Sequence, residues 1–257
     1  MSPVNVSTIG AYIREQREQA RISLRQLAQA AGVSNPYLSQ IERGLRRPSA
    51  DILQQIAKGL RISAEALYVQ ADVSDEESVA AMAQAALARF GRVDILVNNA
   101  GIFTQSLLED MPVADWDRVL AVNLRGPFLC SRALLGQMLE RGSGRIINIA
   151  SQLGQIGGSE VAHYSASKAG VIGLTKALAR EVSHRGVLVN AIAPGPIVTP
   201  LLDSETEEWR SAKLAELPMR RFGRVDEVTP TAVMLASADG SYYAGQTLGP
   251  NGGDVML

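Results

Sequence analysis

The amino-acid sequence predicts two parts of different fold class: an all-α bundle over residues 1–68, followed by an α/β domain with a parallel sheet over residues 69–257. In the first part, serines stand before short amphipathic segments, and no segment alternates like a strand. In the second part, apolar β-rich runs alternate with long amphipathic segments, which is typical of a parallel sheet covered by helices on both faces. A chain of 257 residues can bury a real core.

Composition excludes several classes of protein. The chain has one cysteine, Cys130, so it cannot form an internal disulfide, and it has no charged-then-apolar leader or long uncharged apolar run. We therefore expect a cytoplasmic protein without membrane contact, and we assign no metal site.

Charge is distributed unevenly along the chain. Residues 1–70 contain nine of the 25 Lys and Arg residues but only five of the 26 Asp and Glu residues. A basic small module is what a nucleic-acid contact at that end requires, although ordinary solvated surfaces explain the same numbers about equally well.

Four serines of the first part stand where helix N-caps are expected. A serine oxygen there accepts a hydrogen bond from an otherwise unpaired amide of the first helical turn, and glycines supply stops where φ can become positive. This pattern predicts about five short helices. The expected caps are Ser23, Ser34, Ser49 and Ser63, and the expected stops are Gly32, Gly44 and Gly59.

Two of these helices are predicted to form a tight pair. Residues 24–31 and 35–43 are joined by residues 32–34, and the small side chain of Ala28 lets the two helices cross closely. The inward positions are Leu27, Ala28, Val33, Leu38 and Ile41.

The stretch LAQAAGVSNPYLSQIERGLRRPS resembles the helix-turn-helix domain of the phage-repressor type, and the resemblance covers residues 8–68. In that family the second helix of the pair enters the major groove, with its N-terminal residues on base edges. The family often has a glutamine where this chain has Leu24, so Arg25 or Gln26 would replace that contact. A helical bundle used for protein contacts is the alternative. By position, the resemblance implies base contacts by Asn35, Tyr37, Ser39 and Gln40, and phosphate contacts by Arg43, Arg46 and Arg47.

From Val69 onward the pattern changes to alternating strands and helices. A strand is expected in VQADV, and further strands are expected in DILVNNA, GRIINIAS, VLVNAIAPG and AGQTLGPNGG. A long helical pattern, VADWDRVLAVNLRGPFLCSRALLGQMLERG, separates two of these runs. The arrangement predicts a parallel sheet buried on both faces.

The residues suited to chemistry lie in SQLGQIGGSEVAHYSASKAG. Tyr164 and Lys168 are four residues apart in a helical stretch and therefore share one face. Ser151 follows a predicted strand at its carboxyl end, where open α/β sheets place ligands. A nearby ammonium group favours the phenolate and lowers the pKa of a tyrosine, and a serine hydroxyl can donate to a carbonyl oxygen that gains negative charge.

These residues belong to a longer series of motifs that resembles the short-chain dehydrogenase/reductase family over about residues 69–257. In that family the matching serine orients a carbonyl, the tyrosine transfers the proton, the lysine also binds the nicotinamide ribose, and an asparagine holds a water. The resemblance implies a Rossmann-like fold with the catalytic residues Asn123, Ser151, Tyr164 and Lys168. It implies cofactor contacts by Asp72, Asn99, Ala100, Gly101, Tyr164, Lys168, Pro194, Gly195 and Thr199. For Asn98, Asn99 and Asn123, the capping of strand ends is an alternative role.

One part of the family pattern is missing. The family's first strand, a glycine-rich turn of the TGxxxGxG type, a helix and the second strand should come before Val69, but the sequence has neither such a turn nor a GxGxxG. Those glycines let the backbone approach the pyrophosphate at a helix N-terminus. The resemblance thus implies NAD or NADP as cofactor, while the missing turn argues against its binding. It also implies an N-terminally truncated sheet in which DILVNNA is an apolar edge.

We interpret the chain as a DNA-binding helix-turn-helix module fused to a dehydrogenase-derived domain that serves in oligomerisation or ligand sensing. One alternative is an NAD(P)-dependent oxidoreductase of the ketone/alcohol or 3-oxoacyl type, and another is a chimera with neither activity complete. The expected partners are double-stranded DNA, further copies of the chain in a dimer or tetramer, and a small carbonyl or alcohol ligand. Residues 115–139 and 164–183 match the helices that pair between subunits in the family.

Overall fold

The computed structural model contains two compact units, Met1–Gln70 and Ala71–Leu257, each with its own hydrophobic core. An all-α unit precedes an α/β unit with a parallel sheet, so the predicted fold class is confirmed. The residues that the structure describes are 9–46, 48–62, 69–203 and 205–256.

Serine caps start three of the helices in the first unit. The side chains of Ser23, Ser34 and Ser49 each accept a hydrogen bond from the backbone amide three residues later. These three predicted caps are confirmed, whereas Ser63 lies outside the described residues. The helices are α1 (Ile9–Gln19), α2 (Leu24–Ala30), α3 (Asn35–Glu42) and α4 (Ala50–Leu60).

Two of the three expected glycine stops are confirmed. Gly32 and Gly44 have φ angles of 63° and 72°, which favour glycine. The prediction for Gly59 is wrong, because this residue lies inside α4, where an added Cβ would be only 2.9 Å from Leu27 Cδ1. Glycine at this position allows close packing, and α4 ends at Leu60, where the C-cap residue Arg61 has a φ of 56°.

The core of the first unit contains the predicted inward residues. Leu27, Ala28, Leu38 and Ile41 are buried, and Val33 packs against them. Helices α1 and α4 add further apolar side chains to this core. The additional buried residues are Ile13, Ala31, Leu53, Ile56 and Leu60.

The second unit alternates helices with strands from α5 onward. A five-residue π-helical turn, Ala121–Arg125, joins α6 to α7. The elements are α5 (Glu76–Phe90), β1 (Ile95–Asn98), α6 (Val113–Leu120), α7 (Gly126–Arg141), β2 (Gly144–Ile149), α8 (Leu153–Ile156), α9 (Ala162–Val182), β3 (Val187–Ile192), α10 (Pro200–Asp203), α11 (Glu207–Glu216), α12 (Val225–Ala236) and β4 (Thr247–Leu248).

Among the described residues, four strands form one parallel sheet in the order β1-β2-β3-β4. Successive side chains of β2 and β3 point to opposite faces of the sheet. On one face Ile146 and Val189 pack in a cluster with Met138 of α7, and on the other Ile147 and Ile192 pack against Leu235 of α12. The sheet is therefore covered on both faces.

The expected strand in VQADV is wrong, because residues 69–72 have no regular structure. The Asp72 amide donates to Ser78 Oγ at 2.9 Å, and the Asp72 carboxylate accepts from the Ser74 amide at 2.9 Å. These local hydrogen bonds compete with strand pairing and lead the chain into α5. Strand β1 consequently has one neighbour, β2, among the described strands, and its side chains Ile95 and Val97 are 43% and 46% exposed.

No helix in the described part of the chain is both long enough and apolar enough to cross a membrane.

Candidate active site

The carboxyl ends of three neighbouring strands bring most of the predicted residues together. Strands β1, β2 and β3 are parallel and adjacent, so the segments that follow them lie at the same edge of the sheet. Residues 99–101 follow β1, Ser151 comes two residues after β2, and Pro194 comes two residues after β3. The Gln152 amide donates to the Pro194 carbonyl at 3.1 Å, which ties the last two segments together.

Helix α9 brings Tyr164 and Lys168 to this edge. The Lys168 side chain is 4% exposed, and its Nζ donates to the Ile149 carbonyl at the end of β2 over 2.8 Å. The ammonium also lies 5.6 Å from the centre of the Tyr164 ring. Ser151 is buried, its Oγ accepts from the Leu153 amide at 3.1 Å, and its hydroxyl acts to lower the pKa of Tyr164. Serine, tyrosine and lysine thus form one connected group.

Burial determines the protonation of this group. It lowers the pKa of Lys168 from 10.5 to about 8, because a charged ammonium loses its hydration. Burial also raises the pKa of Tyr164, and the hydrogen bond with Ser151 opposes that shift. The expectation that the ammonium would lower the pKa of this tyrosine is wrong, since burial dominates at the phenol. A protonated phenol at neutral pH is suited to donate a proton.

Asn123 connects this group to the segment that follows β1. Its side chain is fully buried in the π-helical turn, where Oδ1 accepts from the Ile102 amide at 2.8 Å and Nδ2 donates to the Ile102 carbonyl at 2.9 Å. Nδ2 also lies 3.2 Å from Ser167 Oγ, which donates to the Tyr164 carbonyl at 2.7 Å. Asn123 therefore fastens the loop after β1 to the first turns of α9.

Asn98 has a structural place in the sheet. Its Nδ2 donates to Asn148 Oδ1 on the neighbouring strand at 2.8 Å and to Ser131 Oγ at 3.1 Å. Asn148 in turn donates to Thr175 Oγ1 at 2.9 Å. These buried amides hold strand ends together, as the alternative role for Asn98 predicted.

The other predicted cofactor residues lie around the same edge or at the start of α5. Asn99, Ala100 and Gly101 are exposed in the loop after β1. The Gly195 amide donates to the Pro250 carbonyl at 3.2 Å, and Thr199 Oγ1 donates to the Ile197 carbonyl at 3.2 Å.

The carboxylate of Asp72 is already engaged in local hydrogen bonds. It accepts from the Ser74 hydroxyl at 2.7 Å as well as from the Ser74 amide, and these bonds lower its pKa. These local hydrogen bonds are sufficient to explain an aspartate at position 72, before α5.

The residues of the edge fit the nicotinamide and ribose end of a dinucleotide. A Cβ added to Gly101 would lie 3.3 Å from Asn123 Oδ1 and 3.5 Å from Lys168 Nζ, so glycine keeps space beside the ammonium. A phenol and an ammonium group are suitable donors for ribose hydroxyls.

The same residues do not supply a pyrophosphate site. Helix α5 precedes β1, but Asp75 caps its N-terminus and Glu76 and Glu77 occupy its first turn. These carboxylates disfavour an anion at a helix N-terminus. The described residues therefore fit one half of the cofactor.

Sequence reasoning missed several contacts that join distant segments. Phe103 packs edge-on against the Tyr164 ring, with 5.0 Å between ring centres and an angle of 82°. His163 is fully buried, and its Nε2 lies 2.7 Å from Thr104 Oγ1. The position of His163 directly before the tyrosine was a usable signal, whereas nothing in the local sequence links it to Thr104.

A second missed cluster joins the C-terminal segment to α11 and to the segment after Ser151. Lys213 Nζ lies 2.8 Å from Asp254 Oδ2, and Gln152 Nε2 donates to the same oxygen. Hydrogen bonds and the negative charge of Asp254 and Glu216 raise the pKa of Lys213 against its partial burial.

In the first unit, the predicted DNA-contacting residues lie on and after α3. Asn35, Arg43 and Arg46 are exposed, and Tyr37, Ser39 and Gln40 are partly exposed. Arg47 lies outside the described residues. Gln26 Oε1 accepts from the Ser23 amide at 2.7 Å, so the Gln26 side chain is engaged in the cap of α2. Arg25 is exposed and is therefore the candidate for the DNA contact that the family makes with a glutamine at the position of Leu24.

The fold and the edge define an α/β protein with a serine, tyrosine and lysine group at the carboxyl ends of a parallel sheet. The family described as enoyl-(acyl carrier protein) reductase matches residues 44–254, and the helix-turn-helix family matches residues 13–67. The chain belongs to the short-chain dehydrogenase/reductase family and carries a helix-turn-helix domain at its N-terminal end.

Curated relatives and a solved structure agree with this assignment. The chain is 41% identical to the 3-oxoacyl-[acyl-carrier-protein] reductase FabG of Staphylococcus aureus (strain Mu50) over 83% of this chain and 85% of the relative. It is 44% identical to FabG of Vibrio cholerae over 72% of this chain and 76% of that relative. A gluconate 5-dehydrogenase from Burkholderia cenocepacia, in complex with NADP and tartrate, is similar with a TM-score of 0.69 and 36% identity, over 71% and 72% of the two chains.

These relatives overturn one interpretation made from the sequence. The sequence predicts DNA binding as the main activity, with the α/β unit restricted to oligomerisation or ligand sensing. That interpretation is wrong, because the relatives that match most of the chain are oxidoreductases, and they support the alternative of an NAD(P)-dependent oxidoreductase.

The buried ammonium of Lys168 predicts a pH-dependent stability. Its pKa is about 8 in the folded chain and 10.5 in the unfolded one, so below pH 8 both states carry the proton and burial costs on the order of 3 kcal/mol. Between pH 8 and 10.5 the folded state loses the proton first, and stability should therefore rise with pH. We expect Lys168→Met to abolish this rise in urea unfolding of the full chain.

The exposed Lys176 in the same helix provides the control. Lys176→Met should keep the wild-type pH profile. Equal pH profiles for the wild type and Lys168→Met would contradict the assignment of a charged, buried Lys168.

Proposed function

We propose that the α/β unit interconverts a carbonyl compound and the corresponding alcohol with NAD or NADP. The observation that carries this proposal is the connected group of Ser151, Tyr164 and Lys168 at the carboxyl end of β2. When bound, a nicotinamide cofactor supplies or accepts the hydride.

The side chains of the group divide the remaining work. The Ser151 hydroxyl hydrogen-bonds the carbonyl oxygen as negative charge develops on it. The Tyr164 hydroxyl, kept protonated by burial, donates its proton to that oxygen and takes it back in alcohol oxidation. With a pKa of about 8, Lys168 exchanges a proton near neutral pH, and Asn123 keeps the loop after β1 beside the group.

The family relatives support two classes of substrate. Two relatives with more than 40% identity act by name on 3-oxoacyl groups, so we propose a 3-oxoacyl thioester as the substrate. The structural relative with bound NADP is a gluconate dehydrogenase, which makes a keto sugar acid the second choice. Both substrates present a ketone to the same group of side chains.

Loss of the Tyr164 hydroxyl should remove turnover. We expect NADPH oxidation with a short 3-oxoacyl thioester, measured by loss of absorbance at saturating cofactor, to fall by about 10²- to 10⁴-fold in Tyr164→Phe. The exposed Tyr242 supplies a matched control, and Tyr242→Phe should keep wild-type rates.

Two outcomes would contradict the proposal. One is equal turnover in the two tyrosine variants. The other is absence of both NADPH and NADH oxidation by the wild type with the thioester and with the keto sugar acid.

A second activity, contact with duplex DNA, is proposed for a domain over residues 1–68, with the catalytic domain over residues 69–257. The specific observation is the outer face of α3, which presents the exposed Asn35 and the partly exposed Gln40 while Leu38 and Ile41 are buried in the core. Arg43 and Arg46 follow on the exposed side and suit phosphate groups.

Substitution of two arginines tests the proposed DNA contact. The double variant Arg43→Gln/Arg46→Gln should weaken binding to every duplex and make the salt dependence shallower by about two in the log-log slope, one per lost phosphate contact. Gln40→Ala should weaken binding by about 1–3 kcal/mol at preferred sequences alone. Binding is measured by fluorescence anisotropy at several salt concentrations. The control Lys58→Gln removes one positive charge from α4, away from α3. If Lys58→Gln weakened DNA binding as much as the double arginine variant does, the assignment of the DNA contact to α3 and the arginines after it would be contradicted.

We also propose a homo-oligomer that forms through helices α6, α7 and α9. A groove of about 440 Å³ at this face is lined by Leu120, Leu124, Phe128 and Leu174, and Phe128 is 45% exposed. A second copy would remove this apolar surface from water.

A cytoplasmic location stays a prediction.

An acidic side chain in the groove should prevent association. Phe128→Glu should be a monomer in sedimentation velocity at micromolar concentration, because a carboxylate without a partner is costly to bury. Phe90→Glu introduces the same charge at an exposed aromatic residue of α5 and should remain associated. A monomeric wild type at that concentration would contradict the proposed oligomer.

A further inference from the structure

Residues 102–106, the segment that follows the loop after β1, are fastened at three points. Ile102 is held through both its backbone groups by Asn123, at 2.8 and 2.9 Å. Thr104 Oγ1 lies 2.7 Å from His163 Nε2, and the Ser106 amide donates to the Glu160 carbonyl at 2.8 Å. Both later contacts join the segment to the residues that enter α9. The segment therefore has little freedom to move away from Tyr164.

The contact between Thr104 and His163 supplies the one hydrogen bond that the structure describes for the His163 side chain. His163 is fully buried, and among the residues that the structure describes no group hydrogen-bonds its Nδ1. Burial lowers the pKa of His163, although the negative charge of Asp115 opposes this shift. A neutral imidazole results, and its described hydrogen bond is the one with Thr104.

Phe103 lies between two of the fastened residues and reaches the reacting side chain. Its ring meets the Tyr164 ring edge-on, with 5.0 Å between centres. A phenyl ring at this place excludes water from one side of the Tyr164 ring, and burial is the dominant cause of the raised pKa of Tyr164. The hydrogen bond between Thr104 and His163 acts on Tyr164 through the placement of Phe103.

We infer that Thr104 and His163 are positioning residues that hold Phe103 against Tyr164 and thereby set the proton affinity of the phenol. The inference deepens the proposed function, since it rests on Tyr164 as the proton donor. The inference can be tested independently of the proposed function, because the ionisation of Tyr164 does not require cofactor, substrate or turnover.

The test is a titration of tyrosinate absorbance in the full chain. The chain has six tyrosines, and subtraction of the same titration in a Tyr164→Phe background isolates the signal of Tyr164. Thr104→Val preserves the shape of the side chain and removes its hydroxyl. We expect Tyr164 to ionise at lower pH in Thr104→Val, because the released segment admits water. Thr104→Ser restores the hydroxyl and should ionise like the wild type.

Two further variants make the result specific. Ser106→Ala changes the same segment, but the Ser106 side chain donates to the Leu107 carbonyl and its amide remains available to Glu160, so wild-type ionisation is expected. Phe103→Ala removes the aromatic edge without altering the buried histidine, and it should shift the ionisation of Tyr164 in the same direction as Thr104→Val. Lys168 remains in every variant.

The inference is overturned if Tyr164 in a folded Thr104→Val ionises at the same pH as in Ser106→Ala, and equally if it does so in Phe103→Ala. Circular dichroism checks that each variant is folded, and Phe103→Ala decides the matter if Thr104→Val does not fold. A wild type that shows the expected titrations but oxidises neither NADPH nor NADH would contradict the proposed function and leave the positioning pair supported.

Discussion

The buried amide of Asn123 is the interaction on which the arrangement of the site depends. Its two polar atoms hold both backbone groups of Ile102 and reach Ser167, so one side chain joins the loop after β1 to helix α9. An amide that is buried in this way is stable only when its hydrogen bonds are made, which restricts the loop to one position. The placement of Gly101 beside Lys168, and of Phe103 beside Tyr164, follows from that restriction.

The same burial that fixes the geometry also determines the chemistry. Removing Tyr164 and Lys168 from water raises the pKa of the phenol and lowers the pKa of the ammonium to about 8, so both neutral forms are favoured by the protein interior. The cost of burying Lys168 is an example of stability given up at a position that we propose to be functional. The hydrogen bond from Lys168 Nζ to the Ile149 carbonyl limits that cost.

The two family matches overlap over residues 44–67, which include helix α4. An amphipathic helix fits both families, since a 3.6-residue period alone does not specify the core against which a helix packs. In the structure, Leu53, Ile56 and Leu60 of α4 are buried in one cluster with Leu27 of α2, so α4 belongs to the helix-turn-helix unit. The α/β unit consequently begins its sheet at β1, whose apolar side chains Ile95 and Val97 are left partly exposed at an edge.

The sequence by itself determined the two fold classes, the caps at Ser23, Ser34 and Ser49, and the four strands of the parallel sheet. These features depend on residue types at short, regular spacing, and local chemistry is sufficient to predict them. Tertiary structure alone decided that Gly59 packs inside a helix and that burial dominates the pKa of Tyr164. It also decided the contacts of Thr104 with His163 and of Phe103 with Tyr164, because those residues are distant in sequence and meet only when the loop after β1 is placed against α9.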